Sequence, residues 1–325
     1  MGKKEKLYLV LDTETATLPF ADSIARTAKE KQNIAIAKPL VYDIGWTICN
    51  RKGEIRETKE FLVQETFFVP QVFNTAYYRD KRPQYMERFE KGEIKSKPWN
   101  EIIELLLKDL RKVEFCAAYN AAFDFKKAIP FTERYIKAIY STWYQKWEDR
   151  QYKACKDIAV GNNNSKNEEY LTPIFDLRNE EFSIVDLWGY ACERLINNNR
   201  YKKFCLDNGV VSPGGFYFKS SAESVYKYLL KDNKFIEAHT ALEDAKIETI
   251  ILSKILAKGS VKPKIQAFPF RTLGQTVDYV LEKKIKNEEH LKLLINILTE
   301  NLKGREISAY TSRLENTILN LRNEL

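Results

Sequence analysis

The chain has 325 residues, 44% hydrophobic and 13% aromatic, enough to bury one large core or two modest ones and too apolar for a chain disordered throughout. No stretch approaches the ~18 consecutive apolar residues of a membrane span, and the five cysteines (Cys49, Cys116, Cys155, Cys192, Cys205) are odd in number and never spaced Cys-x-x-Cys, which argues for reduced thiols in a cytoplasmic protein and against a disulfide framework or a zinc site. The 53 Lys and Arg outnumber the 45 Asp and Glu for a net charge of +8 and a pI near 9.0, which favours a polyanionic partner, and the heavy use of Lys, Asn and Ile points to an AT-rich genome such as that of a low-GC bacterium or its phage.

After a charged start, the run Leu7 to Leu11 has the length and residue types of a buried central strand, yet it ends in two carboxylates, Asp12 and Glu14. Side chains alternate along a strand, so both leave from one face. Carboxylates gathered in that way repel by roughly 4 kcal/mol per pair at about 4 Å and an effective dielectric of about 20. A divalent cation reverses the sign. Thr15 to Phe20 then leads into a polar, helix-prone segment reaching about Lys38.

Val41 to Asn50 alternates Tyr42, Ile44, Trp46 and Ile48 on one face, and Arg51-Lys-Gly53 turns it into a second strand over Glu54 to Val63. Asn100 to Val113 carries apolar residues at helical spacing and is expected to cover one face of the sheet. Phe115 to Tyr119 is a short strand of small residues, followed by Asn120 and a helix that holds Asp124 in its first turn, where the helix dipole favours a negative group. From Lys126 to Lys156 basic and aromatic residues interleave, a mixture that suits a nucleic-acid strand or, for the aromatics, a core. Gly161 to Asn167 reads as a solvated loop. Phe182 to Trp188 supplies a last strand, and Ser221 caps a helix with Val225, Tyr228 and Leu229 on one stripe.

Thr240-Ala-Leu-Glu243 has the form of a capping box, starting a helix at Ala241 and leaving His239 on a flexible corner just outside it. Asp244 falls in the first turn of that helix. The other histidine, His290, lies in a polar amphipathic stretch and reads as surface. Beyond Phe268-Pro-Phe-Arg271 three amphipathic helices are expected, with stripes around Val277, Leu294 and Leu314. Each must bury its stripe, against the rest of the chain, against a partner or against a second copy.

Asp12-Thr-Glu14, Asn120-Ala-Ala-Phe-Asp124 and His239-Thr-Ala-Leu-Glu-Asp244, in that order, resemble the motifs of the DEDDh exonucleases, the ribonuclease H-like family that includes the proofreading subunit of bacterial DNA polymerase III, ribonuclease T and oligoribonuclease. The resemblance implies an α/β fold, a mixed five-stranded sheet flanked by helices, with a C-terminal helical appendage. It implies an exonuclease domain over residues 1–259 with insertions around 16–40 and 140–180, then a helical segment over 260–325. It assigns Asp12, Glu14, Asp124 and Asp244 to two Mg²⁺ or Mn²⁺ ions and His239 to general-base work, with Thr15, Leu18, Asn120 and Phe123 as substrate contacts. Leu18 stands at the offset of the family's wedge residue, and a loop anchor packed on the core is its other reading. The activity implied is release of nucleoside 5′-monophosphates from the 3′ end of single-stranded DNA or RNA, in the cytoplasm of a bacterial or phage-infected cell and away from any membrane. A subunit that keeps the fold but acts by docking on replication factors is the alternative, and under either the C-terminal helices pack back on the core or serve a protein partner or self-association.

Overall fold

The computed structural model describes residues 5–19, 38–141, 171–282, 287–303 and 309–324, so most of the two expected insertions and the basic-aromatic stretch after Ser141 lie outside the described residues. In chain order the main elements are β1 (Leu7–Thr17), β2 (Pro39–Asn50), β3 (Ile55–Val63), α1 (Arg82–Glu90), β4 (Lys95–Lys97), α2 (Trp99–Leu110), β5 (Cys116–Ala118) and α3 (Ile129–Ser141). They continue as β6 (Ile174–Leu177), β7 (Glu180–Asp186), α4 (Asn199–Asp207), α5 (Ala222–Leu230), α6 (Ala241–Ala257), α7 (Thr276–Glu282), α8 (Glu288–Leu302) and α9 (Ala309–Asn323), with shorter helical turns between. Two units result, Met1–Leu187 with Glu237–Ile265 and Trp188–Ile236 with Gln266–Leu325. The second unit thus draws residues from both sides of the 259/260 boundary expected from the sequence.

The first unit is an α/β layer structure around a mixed seven-stranded sheet in the order β4-β3-β2-β1-β5-β7-β6. The five strands legible in the sequence are the five inner ones. The two short edge strands, β4 and β6, carry too few apolar residues to announce themselves and bring the count to seven where five were expected. Pairing is antiparallel for β1 with β2 and β2 with β3, and parallel for β1 with β5 and β5 with β7.

β2 is buried along its whole length, and its alternation sorts its two faces. Trp46 points to one side and donates its indole N–H to Asp109 of α2 at 3.0 Å, on the face α2 was expected to cover. Asp43, Gly45 and Thr47 point to the other, where α6 lies: the Thr47 and Thr249 hydroxyls are 2.6 Å apart. Gly45 is indispensable to that contact, because a Cβ built on it would stand 2.4 Å from the Leu242 nitrogen and 2.6 Å from its Cα. The described part of the basic-aromatic stretch belongs mostly to this core: Phe131, Tyr135 and Ile136 of α3 are buried.

In the second unit Ser221 caps α5 as expected, accepting from the Ser224 backbone at 3.3 Å. The stripes of α8 and α9 pack on each other, and α8 also meets α4. His290 corrects its surface reading: it is buried, with Nε2 2.8 Å from Asp207 of α4, because its face of α8 turns toward α4. Among the described residues no helix is long and apolar enough to cross a membrane.

Candidate active site

The site gathers at the C-terminal end of β1, where Asp12 is half-buried and Glu14 buried. Asp12 pairs in register with Gly45 and Glu14 with Asp43, so the strand end faces the glycine that admits α6. On the β5 side, Asn120 takes a left-handed backbone (φ 66°), a conformation asparagine tolerates better than most residues. The chain then makes a single turn, Ala121–Phe123, and a five-residue π-helical turn, Asp124–Ala128, before α3. Asp124 therefore leaves from a π turn, a distortion that recurs at functional sites, and not from the first turn of a regular helix as expected. It is buried and accepts the Thr13 hydroxyl at 2.6 Å.

The third element is the start of α6, and here the structure corrects the sequence. Thr240 makes no side-chain cap and its buried hydroxyl lacks a partner. Asp43 caps the helix from β2 instead, accepting from the Ala241 N–H at 3.0 Å and from the Tyr85 hydroxyl at 2.8 Å. A capping box needs the Thr side chain to turn back on its own helix, and the close seating of α6 on Gly45 gives that place to Asp43. Asp244 then projects from the first turn, and Glu248 follows one turn on, buried and accepting from the Tyr119 N–H at 3.0 Å.

His239 is held, not flexible. Its backbone is left-handed (φ 51°), its ring stacks on Tyr78 with centroids 4.2 Å apart and planes 15° from parallel, and its Nε2 lies 3.3 Å from the Tyr78 hydroxyl. Nδ1 faces the acids, 3.7 Å from Glu237 and 3.9 Å from Asp244. The Lys81 amine meets the Ala238 carbonyl and covers the Tyr78 ring.

Burial and mutual repulsion hold these carboxyls protonated far above the ordinary carboxylate range. Burial, Asp244, Asp43 and Glu237 push Glu14 up to about 9 against the pull of Lys81. Burial and Glu237 push Asp244 to about 8, and burial raises Asp124 to about 7 although the Thr13 bonds pull it back. Asp12 is raised by burial and then by Glu248, Asp124, Asp244 and Glu14. Glu248 is raised by burial, Asp124 and Asp244.

The structure thus sets donor atoms of Glu14, His239 and Asp244 within 4.8 Å of one another, with Asp12 near enough to Asp124, Asp244 and Glu14 to be raised by their charges. Of the substrate contacts read from the sequence, Asn120 is exposed at the β5 end, while Thr15 and Phe123 are half-buried. Leu18 is fully buried in the core, so it is the loop anchor and not a wedge a substrate could reach. Asp43, Tyr78 and Glu248 were missed. Glu248 had a signal, its i,i+4 spacing from Asp244, and so did Asp43, an acid inside an apolar strand. Tyr78 lies in a turn without periodicity and had none.

The donor set suits a hard cation: carboxylate oxygens dominate, the buried Asp244 Oδ1 lacks a hydrogen-bond partner, and Glu14, His239 and Asp244 each offer a donor atom within 4.8 Å of the others. A scan of the sequence against protein-family models finds no match, and a search of curated proteins finds none either.

Proposed function

We propose that this protein is a metal-dependent 3′-5′ exonuclease of the DEDDh type, its five inner strands forming a ribonuclease H-like core. The observation that carries the reading is the half-buried Asp12 near the buried Glu14, Asp124 and Asp244, beside a pinned histidine, each carboxyl raised by burial and by its acidic neighbours. Such a cluster is unfavourable as a purely structural feature and favourable once cations share it.

Two Mg²⁺ or Mn²⁺ ions held by those four residues supply, when bound, an activated water and a charge that stabilises the leaving 3′ oxygen. His239 takes the proton of the attacking water. In the tautomer that carries its proton on Nε2, Nδ1 keeps a lone pair on the side of Asp244 and Glu237. Tyr78 fixes the plane of the ring. Tyr77, 85% exposed and edge-on to Tyr78 at 4.9 Å, offers a face on which a terminal base can stack.

The test is a panel of labelled DNA and RNA strands with free 3′ ends, blocked 3′ ends and no ends. Release of nucleoside 5′-monophosphates from free ends alone supports the reading. Cutting of a circular strand makes the protein an endonuclease, and tight binding with no hydrolysis at any metal concentration favours the docking subunit.

A further inference from the structure

The second unit carries an aromatic surface that the proposed chemistry does not use. Phe270 stacks on Trp188 with centroids 5.9 Å apart and planes 20° from parallel, and Tyr217 meets Phe270 edge-on at 4.9 Å. Phe268 stands beside them, 6.2 Å from Phe270, and is 56% exposed. Its backbone is left-handed (φ 51°), a conformation unfavourable for any residue but glycine and rare for a bulky side chain. The Arg271 guanidinium lies 4.5 Å from the Phe268 ring. Among the described residues Arg271 is in no ion pair, although ion pairs are frequent elsewhere on the chain.

We infer that the Trp188, Tyr217, Phe268 and Phe270 surface with Arg271 is a second, non-catalytic binding site for single-stranded nucleic acid. The inference rests on the nuclease reading for its choice of ligand. The exposed Phe268 ring, beside the half-buried Trp188, Tyr217 and Phe270, gives a base a stacking face, and Arg271 gives a phosphate a cation, a pairing of groups that neither an apolar peptide nor a duplex groove requires. An aromatic held outward in a left-handed backbone has a stability cost that a core role would not explain.

The test is fluorescence anisotropy of the full chain with a labelled single strand of about twenty nucleotides, in EDTA so that nothing is hydrolysed. Phe268→Ala is expected to weaken binding about tenfold or more, the loss of one stacked base. Arg271→Ala is expected to lower the slope of log affinity against log salt by about 0.7, the value for one phosphate contact on a single strand, while Phe268→Ala leaves the slope alone. Phe268→Gly, which relieves the left-handed backbone, is expected to melt no lower than wild type and still to bind as weakly as Phe268→Ala. A purely structural Phe268 would instead give Phe268→Gly wild-type affinity. Dinucleotide hydrolysis with Mg²⁺ separates the two claims: all three variants should match wild type, and a wild type that hydrolyses nothing overturns the nuclease reading while the anisotropy result stands. Unchanged affinity and salt slope in the variants, or competition by an acidic peptide but not by unlabelled strand, overturns the inference.

Discussion

His239 combines a left-handed backbone, a stacked tyrosine and two acids near Nδ1, so its ring has one orientation and its loss is specific. His239→Ala should lower turnover by about 10² to 10⁴, while the rise in melting temperature given by Mn²⁺ persists. A wild-type rate would reduce His239 to a corner residue, and a vanished Mn²⁺ effect would make it a ligand. Tyr78→Phe keeps the stack but loses the oxygen beside Nε2 and should lower kcat less than Tyr78→Ala, which should lower kcat with the substrate KM less affected. Tyr77→Ala should do the reverse, raising KM about tenfold through the loss of one stacked base. Glu248 accepts from the Tyr119 N–H, next to the turn that delivers Asp124, and it also adds charge beside Asp12. Glu248→Gln keeps an acceptor and removes the charge, so the metal-free protein should melt higher at pH 9. Thermal scans that place the variant below wild type would show that the carboxylate itself is needed for packing.

The start of α6 is where the sequence is most and least informative. Its apolar stripe and the spacing from His239 to Asp244 predict the helix and its carboxylate from local pattern alone. Its cap escapes that pattern, because Thr240 and Glu243 satisfy a local rule while the Ala241 N–H is taken by Asp43, almost two hundred positions earlier in the chain. Gly45 is silent for the same reason: a glycine in a strand shows that something approaches closely, but not what. The four carboxylates and the inner strands are legible as local patterns, whereas Tyr78, the burial of His290 and the two edge strands depend on packing partners far away in the chain. Gly45→Ala should cost at least about 1 to 3 kcal/mol in urea denaturation, as overpacking against a backbone does, and should lower kcat with it, since the added methyl displaces the turn that carries Asp244. Stability lost with kcat intact would separate the seating of α6 from the chemistry.

Across the whole chain, the raised carboxyls make stability depend on pH in a definite sense. The native state keeps protons that the unfolded chain releases near pH 4, so what these groups contribute is fully present below that pH. It is lost as pH rises through about 7 for Asp124, about 8 for Asp244 and about 9 for Glu14. Bound divalent ions remove the penalty, so the gain in melting temperature from Mg²⁺ or Mn²⁺ should grow from pH 6 to pH 9, and a gain independent of pH would contradict the cage. The division into units bears on truncation. A chain ending near Gly259 loses the Lys264 carbonyl and amide that bond Asp186 and Ile184 at the end of β7, and it strips α4 of α8. The shortened chain should aggregate, with light scattering as the check, even though every proposed catalytic residue is retained. Metal-dependent exonuclease action itself is decided by mononucleotide release from a single strand with a free 3′ end, followed for wild type and Asp12→Ala with Mg²⁺ and again with EDTA. Release is expected from wild type with Mg²⁺ and from no other combination; release by Asp12→Ala at the wild-type rate, or by wild type in EDTA, would contradict it.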